Sequence, residues 1–266
     1  VGSEMCIRDS TFSASMALPY VHIKFYDVIR EATQATNNEL GLLMTIFTGV
    51  GMLLYIPGGV LADRGSPKKI LIISLAMTAA LNTIFAVHTS YVMALLIWAL
   101  LAVSANMLQW PTLVKAVRDT GSKEEQGRMF GIMEAGRGLV DTIIAFGALG
   151  VFALIGSNAA SLKAAILFYS AVPMVIGIIA YFLLEPDEIK AVNAAGEKVS
   201  KNKAAMVNVM LALKNRNIWL VSFNVFAVYC VYCGLTYFIP FLKDLYAMPA
   251  VLAGAYGIIN LSLIHI

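Results

Sequence analysis

The chain has 266 residues, of which 59% are hydrophobic and 13% are charged, and its formal net charge is +3. An average soluble domain carries about 25% charged residues, so this composition excludes an ordinary soluble domain, as does the mean hydropathy of +0.78. The apolar residues fall in blocks of about twenty, the length that crosses a bilayer core as a helix. The bases cluster between these blocks, so the positive charge does not indicate nucleic-acid binding. We therefore predict an all-α polytopic membrane protein.

We interpret the two ends of the chain as differing in origin from the rest. A DNA sequence that encodes Met5–Ser10 has a reverse complement that reads Leu-Ser-Leu-Ile-His-Ile in a shifted frame, which is 261–266. One inverted element, such as a translated sequencing adapter, can thus encode both ends. We set 1–10 and 261–266 aside from fold reasoning and expect a native segment over 11–260, cut at both ends.

Eight apolar segments follow in chain order. They cover about 12–30, 39–62, 70–88, 91–116, 129–155, 163–184, 218–242 and the region from 249 onward. The first six predict an N-terminal six-helix bundle over 11–184. The charged stretch 185–217 predicts a linker with a short amphipathic helix at 206–214, which would lie on the membrane surface. The remainder, 218–260, predicts the start of a second bundle.

The distribution of lysine and arginine predicts the orientation of the spans. The loops 63–69, 118–128 and 185–217 hold most of these residues, whereas the opposite set of loops holds Arg30, Lys163 and Lys243. Basic residues are retained on the cytoplasmic side of a membrane. We therefore expect the three base-rich loops to be cytoplasmic.

The segment GGVLADRGSPKK, from Gly58 to Lys69, is the most specific motif in the chain. It reads as a tight loop between the second and third spans, and it closely resembles the signature loop between helices two and three of the major facilitator superfamily of transporters. The segment 124–132, EEQGRMFGI, resembles that family's second cytoplasmic connection. The resemblance implies about twelve helices in two pseudo-symmetric bundles around a central cavity, with the second bundle nearly absent here.

The resemblance also implies a role for the signature loop. In the family, an acid at the Asp63 position and an arginine at the Arg64 position help to hold the outward-facing state. The matching gate residues of this chain are Gly59, Asp63, Arg64, Lys68 and Lys69. Contacts of this kind can be made in one state and broken in the other. The alternative is that the bases only anchor the loop in the cytoplasm.

The fifth span holds the strongest candidate from residue chemistry alone. Glu134, Arg137 and Asp141 stand at i, i+3 and i+7 and share one helical face. An ionisable residue near the centre of a span costs roughly 2.5–3.5 kcal/mol, so we expect all three to face the bundle interior. Two acids against one base leave a spare carboxylate for a proton. A purely structural ion-pair ladder is the alternative.

Weaker candidates lie on three other spans. Lys24 in span one could meet an anionic substrate with Asp27 as its partner, although Asp27 could instead mark the external end of a helix. Asn106 and Gln109 in span four, and Asn224 in span seven, could contact the substrate or bond to neighbouring helices. Cys230 and Cys233 have C-x-x-C spacing but lie in an apolar block, so we interpret them as small helix residues.

Together these features predict a secondary active transporter of a small polar or anionic solute, working by alternating access and coupled to protons or sodium. We expect a monomer in the cell's inner or plasma membrane, with the lipid bilayer as its surroundings and no nucleic-acid partner, cofactor or metal. No catalytic constellation or P-loop is present, which predicts that the chain is not an enzyme. The alternatives are a non-functional truncated fragment and a polytopic membrane enzyme.

Overall fold

The computed structural model describes residues 10–120, 123–156, 159–184, 210–211, 213–234, 241–242, 245–249, 252 and 255–256, and in this part of the chain there is no β-strand. The α-helices are α1 (10–16), α2 (Val21–Lys24), α3 (Tyr26–Thr33), α4 (Asn37–Arg64), α5 (Pro67–Val87), α6 (Tyr91–Ala102), α7 (Trp110–Thr120), α8 (Gln126–Ile155), α9 (Ala159–Leu183) and α10 (Arg216–Gly234). A π-helix over Val103–Gln109 joins α6 to α7, and a 3-10 turn over Lys123–Glu125 precedes α8. The all-α prediction is confirmed.

Five stretches of the described chain are long and apolar enough to cross a membrane. They are α4, α5, the continuous run from Tyr91 to Asp119, α8 and the part of α9 from Ala160 to Leu183. These stretches overlap the predicted spans two to six. α5 packs most extensively against α9, while α4 packs against the α6–π-helix–α7 run.

The first predicted span is not one continuous helix, which corrects the prediction for 12–30. α1 ends in a turn over 17–20, α2 follows, and a bend at Phe25 separates α2 from α3. Pro19 lies in the turn, and proline both lacks a backbone N–H and clashes with the preceding helical turn. The Pro19 carbonyl instead accepts a hydrogen bond from the Trp98 indole Nε1 at 3.3 Å. This bond holds the turn between α1 and α2 against the fourth span.

The signature segment is mostly helical, which corrects the prediction of a tight loop from Gly58 onward. α4 continues to Arg64 and α5 begins at Pro67, leaving Gly65 and Ser66 between the two helices. Leucine, alanine and arginine in this segment favour a helix, and proline is favoured at the first helical position, where its missing N–H has no partner to lose.

The core of the bundle is built from large side chains on several spans. The largest fully buried ones are Trp98, Tyr169, Phe47, Phe85 and Phe152. Apolar side chains also cover the outer surface: Leu53 on α4 and Leu154 on α8 are 77% and 89% exposed. A surface this apolar is what a bilayer solvates, so the outward-facing side chains agree with the membrane assignment.

Several predictions fall outside the described residues. These are the ends 1–9 and 261–266, the linker 185–209, most of the amphipathic helix 206–214, most of the eighth span and the side chain of Cys233. Cys230 is an exposed free thiol on α10.

Candidate functional site

The charged residues of α8 form a ladder centred on Arg137. Its guanidinium Nε donates to Glu134 Oε2 at 3.0 Å, and its terminal nitrogen lies 3.8 Å from Asp141 Oδ2. The Arg137 side chain is 19% exposed, whereas Glu134 and Asp141 are 38% and 36% exposed. The predicted shared face is therefore a connected ion-pair ladder, with one base between two half-buried acids. Whether this ladder serves transport remains a prediction.

The ladder faces other helices of the bundle rather than the outer surface of α8. The Phe12 ring of α1 lies 5.8 Å from the Arg137 guanidinium, and Ser13 Oγ donates to the Arg137 carbonyl at 3.1 Å. The outer surface of α8 is formed by other residues, such as Leu139 and Ile143, which are 64% and 62% exposed. A guanidinium over an aromatic face gains cation–π attraction, which helps to hold this charge within an apolar segment.

Lys24 extends the charged region to the first span. Its ammonium lies 5.8 Å from the centroid of the buried Tyr169 ring on α9, and the Asp141 carboxylate acts electrostatically on both Lys24 and Tyr169. The charges of Lys24 and Asp141 thus both act on an aromatic side chain of α9. The hydroxyl of Tyr169 is buried and has no hydrogen-bond partner among the described residues.

The structure does not join Lys24 to Asp27. The two residues lie on either side of the bend at Phe25, and the Asp27 carboxylate is 3.9 Å from Arg30 instead. Arg30 also donates to Asn37 Oδ1 at 3.1 Å. This arrangement agrees with the alternative that Asp27 marks the end of a helix.

The two predicted amides of the fourth span bond to neighbouring helices. Asn106 Nδ2 donates to the Phe47 carbonyl of α4 at 3.5 Å, directly over Gly51. Gln109 Oε1 accepts from Ser74 Oγ of α5 at 3.2 Å. Both residues are buried and belong to the π-helix, an element that is frequent at functional sites. Asn224, the remaining predicted amide, lies on the exposed surface of α10.

A chain of buried hydroxyls continues from Gln109. Thr78 and Ser104 hydroxyls are 2.7 Å apart, Ser104 Oγ donates to the Ser74 carbonyl at 2.8 Å, and Thr78 also bonds to Ser15 of α1. Buried polar groups of this kind require partners, and here the partners come from three different spans. Spans one, three and four are therefore locked together by hydrogen bonds at the level of the π-helix.

The signature motif contacts a base that the motif itself does not include. Lys115 Nζ of α7 donates to the Ala62 carbonyl at 3.0 Å and lies 4.0 Å from Asp63 Oδ1. The acid at position 63 is thus paired across two spans. Arg64 is exposed, and Lys68 donates to the carbonyl of Leu184 at the end of α9.

The close helix contact in the signature motif is made by Gly58 and not by Gly59. A Cβ atom added at Gly58 would collide with the backbone of Met107 in the π-helix, whereas none of the described atoms lies within 4 Å of a Cβ added at Gly59. Lys69 is exposed. Of the five predicted gate residues, Asp63 contacts another helix and Lys68 contacts the end of α9. The other three, Gly59, Arg64 and Lys69, lie at the surface of the described bundle.

Residue chemistry alone did not select Lys115 or Tyr169. Lys115 lies in the predicted span four and Tyr169 in the predicted span six, and neither belongs to a sequence motif. Their contacts depend on the packing of α4 against α7 and of α2 against α9. The spacing of Ser74 and Thr78, four residues apart in an apolar segment, was the available signal for the buried hydroxyl chain.

The fold and the site define a polytopic helical membrane protein with a charge ladder inside its bundle and a paired acid at the junction of two spans. Residues 5–264 match the model of the Major Facilitator Superfamily. The chain belongs to the major facilitator superfamily.

Similarity to curated proteins agrees with this assignment. The chain is 42% identical to inner membrane protein YihN of Escherichia coli (strain K12) over 247 residues, which cover 91% of this chain and 57% of YihN. It is 29% identical to inner membrane protein YqcE of the same organism over 225 residues, covering 84% of this chain and 52% of YqcE. The chain thus spans about half the length of these relatives.

Proposed function

We propose that the full-length protein containing this chain is a secondary active transporter, which moves a small polar or anionic solute across the inner membrane by alternating access of two helical bundles. Family membership and two relatives named as inner membrane proteins support this proposal. The observation that carries it is the Glu134–Arg137–Asp141 ladder, which holds three charges inside a membrane-spanning helix. Charges at such a depth are costly and mark solute or ion pathways.

The ladder suits a site that binds an anionic group and a cation in turn. Arg137 supplies a planar set of donors that matches carboxylates and phosphates, and Lys24 supplies a second positive charge from the broken first span. The negative charges of Glu134 and Asp141 offset the positive charge of Arg137 while no solute is bound. Because Arg137 is shared between two carboxylates, an entering anion would compete for the base and leave a carboxylate ready to take up a proton.

The Asp63–Lys115 contact suits a gate on the side of the predicted cytoplasmic loops. It joins the end of α4 to α7 through one ion pair and one hydrogen bond to the Ala62 carbonyl. A base at the carboxyl end of a helix is favoured by the helix dipole. Separating α4 from α7 would break both contacts, so this junction favours one conformation over the other.

The test is solute uptake by the full-length protein in proteoliposomes, with a panel of sugars, sugar acids, organic acids and phosphate esters under an imposed proton or sodium gradient. We expect saturable uptake of at least one solute that collapses when the gradient is dissipated. Glu134→Gln and Asp141→Asn should weaken the dependence on the gradient, and Arg137→Gln should weaken solute binding. Uptake of no solute under either gradient by a correctly folded protein would count against a coupled transporter.

A further inference from the structure

An apolar groove of about 280 Å³ lies on the outer surface of the bundle between α5 and α9. It is smaller than the roughly 300–1,000 Å³ of a site for a drug-sized ligand. Its lining includes Ile72, Ala76, Pro173, Gly177, Tyr181 and Phe182. Proline and glycine have little or no side chain to fill the space beside α9, so the groove is open and elongated along the two helices.

One end of the groove carries positive charge. Tyr181 lines the groove, and the Lys68 ammonium lies 5.6 Å from the centroid of the Tyr181 ring while donating to the Leu184 carbonyl. Lys69 is exposed and stands at i, i+3 and i+7 with Ile72 and Ala76, so it lies on the same side of α5 as the groove. Helical side chains lean toward the N-terminus, which directs Lys69 to the level of the membrane surface.

The first turn of α5 adds backbone donors at this end. Ser66 is its N-cap but makes no side-chain capping hydrogen bond to the described backbone, and Pro67 occupies the first helical position. Unpaired N–H groups and the positive end of the helix dipole favour a phosphate group there. Neither Lys69 nor Arg64 forms an ion pair with any described residue.

We propose that the α5–α9 groove binds one anionic phospholipid, with an acyl chain along Ile72, Ala76 and Gly177 and the phosphate beside Lys69 at the start of α5. An acyl chain matches an apolar groove that opens to the bilayer, and basic pockets between spans bind anionic headgroups. The charge is confined to the end of the groove where a headgroup would lie. If a helix from a second copy of the chain filled the groove instead, the positive charge at one end would have no role in binding it.

The experiment is a lipid titration of the purified full-length protein in detergent, with bound lipid counted by native mass spectrometry. Phosphatidylglycerol and phosphatidylcholine with the same acyl chains are compared. Each basic residue near a charged headgroup contributes about 1 kcal/mol, which is about fivefold in affinity. We expect Lys69→Gln to weaken phosphatidylglycerol binding about fivefold and phosphatidylcholine binding less, because the choline cation already offsets the charge of the phosphate. The exposed Lys163 at the other end of α9 provides the matched control, Lys163→Gln, which should change neither.

A second pair of variants tests the acyl chain. Ala76→Leu fills the groove and should weaken binding of both lipids, whereas Ala153→Leu, at an exposed position of α8, should not. Equal affinity for the two headgroups, or no effect of Lys69→Gln, would overturn the proposal. A dimer that persists at every lipid concentration and is lost in Ala76→Leu would assign the groove to a second copy instead. None of these readouts depends on transport.

Discussion

The ammonium of Lys115 lies 4.0 Å from the Asp63 carboxylate and donates to the adjacent Ala62 carbonyl at 3.0 Å. The acid of the signature motif is thereby fixed to the fourth span, with the lysine 16% exposed and the aspartate 40% exposed. This pairing connects the end of α4 to α7 at the edge of the bundle. The signature motif therefore has a specific partner, Lys115, and the pair can be tested by exchanging the two charges.

We expect Asp63→Asn and Lys115→Gln each to reduce the uptake rate of the full-length protein, and the charge-reversed pair Asp63→Lys with Lys115→Asp to recover part of it. Ion pairs this exposed are worth about 0.2–1 kcal/mol, so the conformational equilibrium should shift about 1.4- to fivefold. Uptake rates and a double-mutant cycle provide the measurement. The neighbouring exposed pair Arg118 and Asp119, 3.6 Å apart, supplies the control Arg118→Gln, which should be neutral.

Arg137→Gln should destabilise the protein more than either acid replacement does, because it removes the base that both Glu134 and Asp141 contact. Removing one partner of a fully buried ion pair costs roughly 3–5 kcal/mol. The loss here should be smaller, since Glu134 and Asp141 keep 38% and 36% of their surface. Thermal unfolding in detergent measures it. The triple variant that neutralises all three residues should regain stability without regaining transport; recovery of transport as well would make the ladder purely structural.

Gly58→Ala and Gly59→Ala form a matched pair in the signature motif. A methyl group at Gly58 would collide with the Met107 backbone, while at Gly59 it would meet none of the described atoms. Overpacking of this kind costs about 1–3 kcal/mol. We therefore expect a lower thermal unfolding temperature for Gly58→Ala and an unchanged one for Gly59→Ala. Equal unfolding temperatures for the two variants would show that α4 and the π-helix are not in close contact.

Replacing Ser104 with alanine should loosen the contact between spans three and four. Its hydroxyl bonds to Ser74 and Thr78, both fully buried. Because Thr78 still bonds to Ser15 and Ser74 still donates to Gln109, the loss should be that of one net hydrogen bond, about 0.5–1.5 kcal/mol. Hydrogen exchange of the amides in the π-helix should accelerate in Ser104→Ala. Thr45→Ala is a suitable control, because the Thr45 hydroxyl is exposed and, among the described residues, bonds within its own helix to the Gly41 carbonyl. Unchanged exchange in the π-helix of Ser104→Ala would contradict the interlocked arrangement.

The sequence predicted the long spans well because each is a block of apolar residues bounded by charge or turn residues. It also placed Glu134, Arg137 and Asp141 on one face, since helical spacing alone decides that relation. The break at Pro19 was missed because the surrounding residues are apolar on both sides. The contacts of Lys115 and Tyr169 could not be predicted, because they depend on which spans become neighbours in the bundle. The spacing of residues within one span does not reveal its neighbours.

The central claim is that the charged side of α8 faces a water-accessible passage and not lipid. Its most direct test is cysteine labelling of the full-length protein, with all native cysteines replaced and single cysteines placed at Glu134, Asp141, Leu139 and Ile143. A charged, membrane-impermeant thiol reagent should label the first two positions and leave the two lipid-facing positions unlabelled. Labelling of Glu134→Cys and Asp141→Cys that is no greater than labelling at Leu139→Cys and Ile143→Cys would contradict the account.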